Sequence, residues 1–239
     1  MFDSYLKSKN IFVSHFKSNN VNDPFEQIEI LSDFHKRSMG YKNDIEDKLR
    51  NNIGKLIEKY KINLRRAKKD LRYIDSTYPK NDFEKIFSEI GESYLERAER
   101  CIDKVYSSQY YEIIRRSMKR NEVCIGNAGF DNLRKVQGII EINDISHCAY
   151  DIVEMDACKF LGYLKRKGTK IDFDDLIKKF AEYEKLESNS ISFIKAVMSY
   201  PHEIIKCCSR YRKYGESYTS DYFKRKLEKA VLKEGKSLI

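Results

Sequence analysis

Over most of the chain apolar residues recur every three or four positions, which puts them on one face of a helix. Asp23 reads as an N-cap with Pro24 at the first helical position, and Phe25, Ile28, Leu31, Phe34 and His35 follow as one stripe that Gly40 ends. Leu56, Ile57, Tyr60, Leu64, Ala67 and Leu71 predict a second helix from Gly54 to Tyr73. Pro79 breaks the chain. A third helix begins near Asp82 and runs through Phe83, Phe87, Ile90, Leu95, Ala98, Ile102 and Val105 as the candidate for the longest. A short helix from Tyr110 to Lys119 follows. After the middle of the chain the pattern predicts helices from Asp156 to Lys167, Asp172 to Leu186, Ser190 to Tyr200, Pro201 to Tyr214 and Ser220 to Lys233.

The middle breaks this period. Glu122 to Ile125 reads as a strand. Gly126 to Asp144 reads as a polar loop and hairpin holding three of the ten glycines, with successive β-branched residues from Gly138 to Ile142. Residues 1–22 read as irregular around one apolar run, Ile11-Phe12-Val13. The predicted fold class is mainly α with a small central β-hairpin. It is organised as an N-terminal segment, 1–22, and one helical lobe, 23–239.

Composition narrows the function classes. A chain of 239 residues with 41% hydrophobic and 13% aromatic positions buries a core and is not a disordered segment. The formal net charge of +9 is spread along the chain with acids interspersed. It reads as a solvated surface, with the basic run Lys59 to Arg72 as one helix face, so nucleic acid is not the expected partner. A basic helical nucleic-acid binder is the alternative that rests on charge alone. No apolar stretch approaches the roughly 18 residues that span a bilayer. The N-terminus lacks the basic and apolar regions of a secretory signal, which predicts a cytoplasmic site of synthesis and no membrane partner. The six cysteines include no Cys-x-x-Cys pair and read as reduced, buried thiols.

The candidate chemistry lies in Cys124-Ile125-Gly126-Asn127-Ala128-Gly129-Phe130-Asp131-Asn132, followed by the strand that ends in Asp144. A strand, a polar loop and a second strand ending in an acid is the layout that carries a catalytic base, a metal-binding Asn and a metal-binding Asp in kinase-like phosphotransferases. Asn127 stands where the base belongs, and an amide accepts no proton at neutral pH. Read without that layout, Asn127, Asn132 and Asp144 are polar residues that shape a loop.

An ordered series of short pieces extends the likeness. Phe34-His35-Lys36-x-Ser38, the loop from Cys124 to Asn132, Asp144, Cys148-x-Tyr150-Asp151, Asp156-x-x-Lys159-Phe160-Leu161, Tyr183-Glu184-Lys185, Tyr200-Pro201 and Phe223-x-x-Lys226-Leu227 together resemble the spore-coat protein S family over roughly residues 23 to 235. That family is similar to aminoglycoside phosphotransferases and choline kinases. The resemblance implies a protein-kinase-like large lobe. It places the family's loop His at Ile125, the base at Asn127 and the metal ligands at Asn132 and Asp144, the last followed by Ile145 and Ser146. It makes Asp156 a brace that accepts hydrogen bonds from the loop backbone. The family's β-rich small lobe, with its nucleotide-gripping Lys and covering loop, has no counterpart in residues 1–22, where Ile11 to Phe16 read as a hinge strand.

Together these imply a non-catalytic, kinase-like spore-coat protein with no cofactor. It would be made in the mother-cell cytoplasm and assemble with other coat proteins or with itself, through an apolar surface around Phe12, Phe16 and the hairpin. The enzymatic alternative is a small-molecule phosphotransferase using Mg-ATP, with a small lobe from another chain or with Asp131 as base. His35, beside the apolar stripe, reads as a satisfied structural histidine.

Overall fold

The computed structural model describes residues 2–17, 23–42, 49–215 and 220–239. The large helices form where the apolar spacing places them. The helix Pro24–Ser38 (α2) starts at Asp23, whose carboxylate accepts the Phe25 N–H at 2.9 Å, and Gly40 follows its end at φ +86°. Lys55–Thr77 (α3) and Asp82–Ser107 (α4, 26 residues) pack side by side. A Cβ built on Gly91 would lie 3.1 Å from Leu71 Cδ1, so the missing side chain is what lets these two helices close. Tyr110–Arg120 (α5) leads into the central strands.

Beyond the strands come Glu154–Arg166 (α6), Phe173–Glu184 (α7), Ser188–Ser199 (α8), His202–Tyr214 (α9) and Ser220–Glu234 (α10). Asp172 caps α7 by accepting the N–H groups of Asp174 and Asp175. α4 is central, packed against α3, α8 and α10, while α2 lies against α7. Phe34, Phe83, Phe87, Phe180 and Phe193 are fully buried between these helices. Each contributes about 1.5–3 kcal/mol by leaving water.

Two expectations need correction. The β structure is larger than one hairpin. Leu133–Val136 (β4) and Ile139–Ile142 (β5) form the hairpin, and Ile11–Val13 (β1) joins β5 in parallel, with Ile11 opposite Ile140 and Val13 opposite Ile142. A second three-stranded sheet has the order Arg50–Asn51 (β2), Ala149–Tyr150 (β6), Val123–Cys124 (β3). Strands of two residues are too short to show alternation, and Arg50-Asn51 has no apolar residue at all.

The N-terminal segment is also not wholly irregular. Phe2–Ser8 (α1) is a helix that buries Phe2 and Leu6, and its Tyr5 hydroxyl donates to the Met39 carbonyl at 2.9 Å. One apolar step of four residues is too little periodicity to mark it. Residues 18–22 lie outside the described residues.

Candidate functional site

The loop between β3 and β4 is held from beneath by a buried carboxylate. Asp156, in the first turn of α6, accepts the Ile125 N–H at 2.6 Å on Oδ2 and the Gly126 N–H at 2.9 Å on Oδ1. Gly126 has φ +81°, and a Cβ there would sit 2.4 Å from the His147 carbonyl oxygen, so only glycine fits this turn. Gln27 of α2 ties the two ends of the loop together by donating to the carbonyls of Ala128, at 3.0 Å, and Leu133, at 2.9 Å.

His35 of α2 stands behind Asp156. Its Nε2 lies 3.1 Å from Asp156 Oδ2 and its Nδ1 2.7 Å from Glu184 Oε1, with all three groups buried. Burial alone would lower the imidazole pKa, but the Glu184 charge and the hydrogen bonds to both carboxylates outweigh it and push it up to about 10. His35 is therefore an imidazolium that donates from both nitrogens. For Asp156, burial favours the neutral acid, and it is overcome by the His35 hydrogen bond, Lys159 and the Gly126 N–H, which hold its pKa below the usual carboxylate value. Lys159 Nζ lies 3.8 Å from Asp156 Oδ1.

His35, Cys124 and Asp156 also offer atoms within 4.8 Å of one another, a spacing open to a metal. Their chemistry argues against one. An imidazolium has no lone pair, and the Cys124 thiol, its pKa raised by burial and by Asp156, keeps its proton and donates to the Ile152 carbonyl at 3.2 Å.

The loop's own polar residues sit as follows. Asn127 is exposed, and its Oδ1 accepts the Gly129 N–H at 3.1 Å. Asn132 is 3% exposed. Its Nδ2 donates to the carbonyls of Asn127, at 2.8 Å, and Asp144, at 3.2 Å, and its Oδ1 accepts the Asp144 N–H at 2.7 Å. Asn132 and Asp144 are thus brought together, with the Asn132 amide acting as a strut between loop and strand end. The Asp144 carboxylate is exposed and accepts the Ser146 N–H at 2.7 Å and hydroxyl at 2.8 Å, contacts that lower its pKa. Asp131 is exposed, and its carboxylate folds back over the loop. A Cβ built on Gly129 would meet Asp131 Oδ1 at 2.6 Å and Asn127 Oδ1 at 3.1 Å. Ile125 is fully buried.

A second network of charged side chains joins α5 to α6. Arg116 of α5 bridges Glu122 and Glu154, with Nε to Glu122 Oε1 at 2.9 Å and Nη2 to Glu154 Oε2 at 2.7 Å. Both glutamates are buried. Sequence reasoning missed this network and the partners of His35. The i, i+3 spacing of Asp156 and Lys159 was the one local signal available. No helix among the described residues is long and apolar enough to cross a membrane.

No protein-family model and no curated protein matches the chain by sequence. Among solved structures the fold is similar to an aminoglycoside phosphotransferase from Alicyclobacillus acidocaldarius subsp. acidocaldarius DSM 446, with a TM-score of 0.70 at 12% identity. The match covers 93% of this chain and 65% of that one, so the chain spans less than two thirds of its neighbour's length. The helical architecture with its small sheets is thus similar to the fold of that phosphotransferase over about two thirds of its length.

Proposed function

We propose that this chain is a kinase-like large lobe that acts by binding and assembly and does not transfer phosphate. The observation that carries this reading is Asn127. The loop scaffold is complete, with Asp156, Gln27 and Asn132 all engaged, yet the side chain at the base position is an exposed amide. Loss of a general base costs on the order of 10²–10⁴ in rate. For assembly the chain offers the outer face of the β1–β5–β4 sheet. Val136 and Ile139 pair across the hairpin, Phe12 is in register with Glu141 on the same face, and all three apolar side chains are exposed. Phe16, by contrast, is covered by the Arg134 guanidinium, 4.2 Å from its ring centroid. Assembly with itself or with other proteins of a spore coat is the role that the sequence resemblance suggests for such a face.

The test is calorimetric titration with Mg-ATP. No heat of binding and no phosphorylated product across a panel of small alcohols and amines is the expected result. Micromolar binding together with a phosphorylated product overturns the reading.

The position of Asp131 favours a second reading, a small-molecule phosphotransferase completed by a β-rich lobe outside this chain. Its carboxylate lies over the same glycine as the Asn127 amide. A divalent ion would be held there by the Asp144 carboxylate beside Asn132 Oδ1, hard oxygen donors that suit Mg²⁺. That ion would supply charge neutralisation at the transferring phosphoryl group. If Asp131 is the base, Asp131→Asn abolishes the activity and Asn127→Asp leaves it or raises it.

A further inference from the structure

At the far end of the small sheet from the loop lies a cavity of about 430 Å³ between α3, α6, the α8–α9 turn and the end of α10. β3 runs into the loop, and β6 is antiparallel to it, so Asp151, following β6, sits at the opposite end. Asn52, following the parallel strand β2, sits there too. Both line the cavity. Its wall includes Tyr60 and Tyr200, stacked at 3.7 Å with an interplanar angle of 3°.

Leu56, Met155, Val197 and Met198 add an apolar lining, and the charged residues are mostly cationic, six Lys or Arg side chains against three Asp or Glu. Lys55 and Lys59 lie one turn apart on α3, Lys165 and Arg166 are adjacent on α6, and Lys233 lies near the end of α10. None of these five has a carboxylate within 4.0 Å among the described residues, whereas Lys159, the sixth, pairs with Asp156 outside the cavity. Lys165 Nζ has carbonyl partners, Met198 at 3.1 Å and Lys236 at 3.3 Å. The adjoining Arg97 likewise donates to the carbonyls of Ser199 and Gly235, and its Nη2 is buried with no hydrogen-bond partner.

The three acids offset half of this charge by number. Glu234 accepts the backbone N–H groups of Glu203 and Ile204. Burial raises the Asp151 carboxyl pKa to about 7, which favours its neutral form. Glu203 and Glu234 therefore face five cations that have no carboxylate within 4.0 Å, with Asp151 held toward its neutral form. Lys59, Arg166 and His202 line the same cavity, and the His202 pKa is lowered first by burial and, against the raising charge of Glu203, by Lys206, Arg166 and Lys59.

We propose that this cavity binds a small organic phosphate, its phosphate on the Lys59–Arg166 rim and its apolar or planar body against the tyrosine wall. A dianion suits a guanidinium flanked by several ammonium groups, and the volume falls in the range of roughly 300–1,000 Å³ typical of small-ligand sites. The site lies away from the loop, so its occupancy does not depend on whether that loop transfers phosphate.

The experiment is a titration of the full chain with phenyl phosphate, followed by calorimetry at low and moderate salt. Saturable one-to-one binding that weakens with salt is expected. The double variant Lys59→Gln/Arg166→Gln, at two exposed positions, weakens it at least tenfold, and each single variant moves it in the same direction. Lys178→Gln/Lys179→Gln, which removes the same charge from α7, leaves it unchanged. Absence of saturable binding up to millimolar ligand overturns the proposal. So does equal binding by the Lys59/Arg166 variant, or equal loss in the α7 control, which would mark a non-specific charge effect. A failure of Mg-ATP to bind or react bears only on the loop.

Discussion

At the scale of single residues, the loop depends on one carboxylate. Asp156 satisfies two backbone N–H groups and one face of a buried imidazolium, so removing its charge leaves His35 buried with Glu184 as its remaining counter-ion. Breaking a buried pair on one side costs about 3–5 kcal/mol. Asp156→Asn is therefore expected to lower the free energy of unfolding in urea by about that much, while Asp131→Asn, at an exposed position, changes it by less than about 0.5 kcal/mol. A loss at Asp156 no larger than at Asp131 would sink the idea that it braces the loop.

The same histidine gives the fold a pH dependence whose direction is fixed. An unfolded imidazole titrates near 6.5 and the folded one near 10. Between those values the folded state keeps a proton that the unfolded state has lost, so stability falls as pH rises. Asp156 acts at the acid end, where its lowered pKa means that its contribution is lost as pH falls below the ordinary 3.8. Urea midpoints measured from pH 7 to pH 10 should decline, and His35→Gln should flatten that decline.

At the scale of elements, α5 is fastened to α6 by Arg116, which holds Glu122 and Glu154 at once. Arg116→Gln leaves the buried Glu154 without a cation and Glu122 with only Arg120, 3.8 Å away, and is expected to cost roughly 3–5 kcal/mol. Replacing Arg115, an exposed neighbour paired with Glu112, should cost less than about 1 kcal/mol. Thermal unfolding of the two variants side by side separates the cases.

Elements of this kind differ in how much of them can be read from sequence. Asp23 and Asp172 announce their helices because a cap acts on N–H groups two or three residues away, and a local motif suffices. The apolar stripes of α3 and α4 span many turns and leave little ambiguity. β2 and β6, two residues each, have no pattern of their own and are defined by pairing with strands far away in sequence. The pairing of His35 with Asp156 and Glu184 joins positions 121 and 149 residues apart. No local spacing marks it, although His35 alone reads as a satisfied structural residue. The loop stood out in the sequence because its glycines and polar residues follow one another within a few positions. The location of Asp131 over Gly129 was not, since it depends on the turn that Gly126 makes.

At the scale of the whole molecule, the six cysteines constrain how any assembly can be held together. They are distributed through the core: Cys101 on α4, Cys124 on β3, Cys148 just before β6, Cys158 on α6, and Cys207 and Cys208 on α9. All are free and buried. Burial raises the thiol pKa to about 11 at Cys101 and Cys207, and raises that of the other four as well. Because the thiolate is the nucleophile, at pH 8 the native chain presents neutral, inaccessible sulfur. A disulfide-exchange reagent should therefore label the native protein no faster than the protein opens, and should label all six cysteines at once in denaturant. Prompt native labelling at Cys207 or Cys208 would show that α9 opens locally and would make oxidative cross-linking a route to assembly. Without it, the assembly proposed above would rest on the exposed sheet face. Phe12→Asp or Ile139→Lys should then shift a concentration-dependent oligomer to monomer in sedimentation, with the thiols still protected.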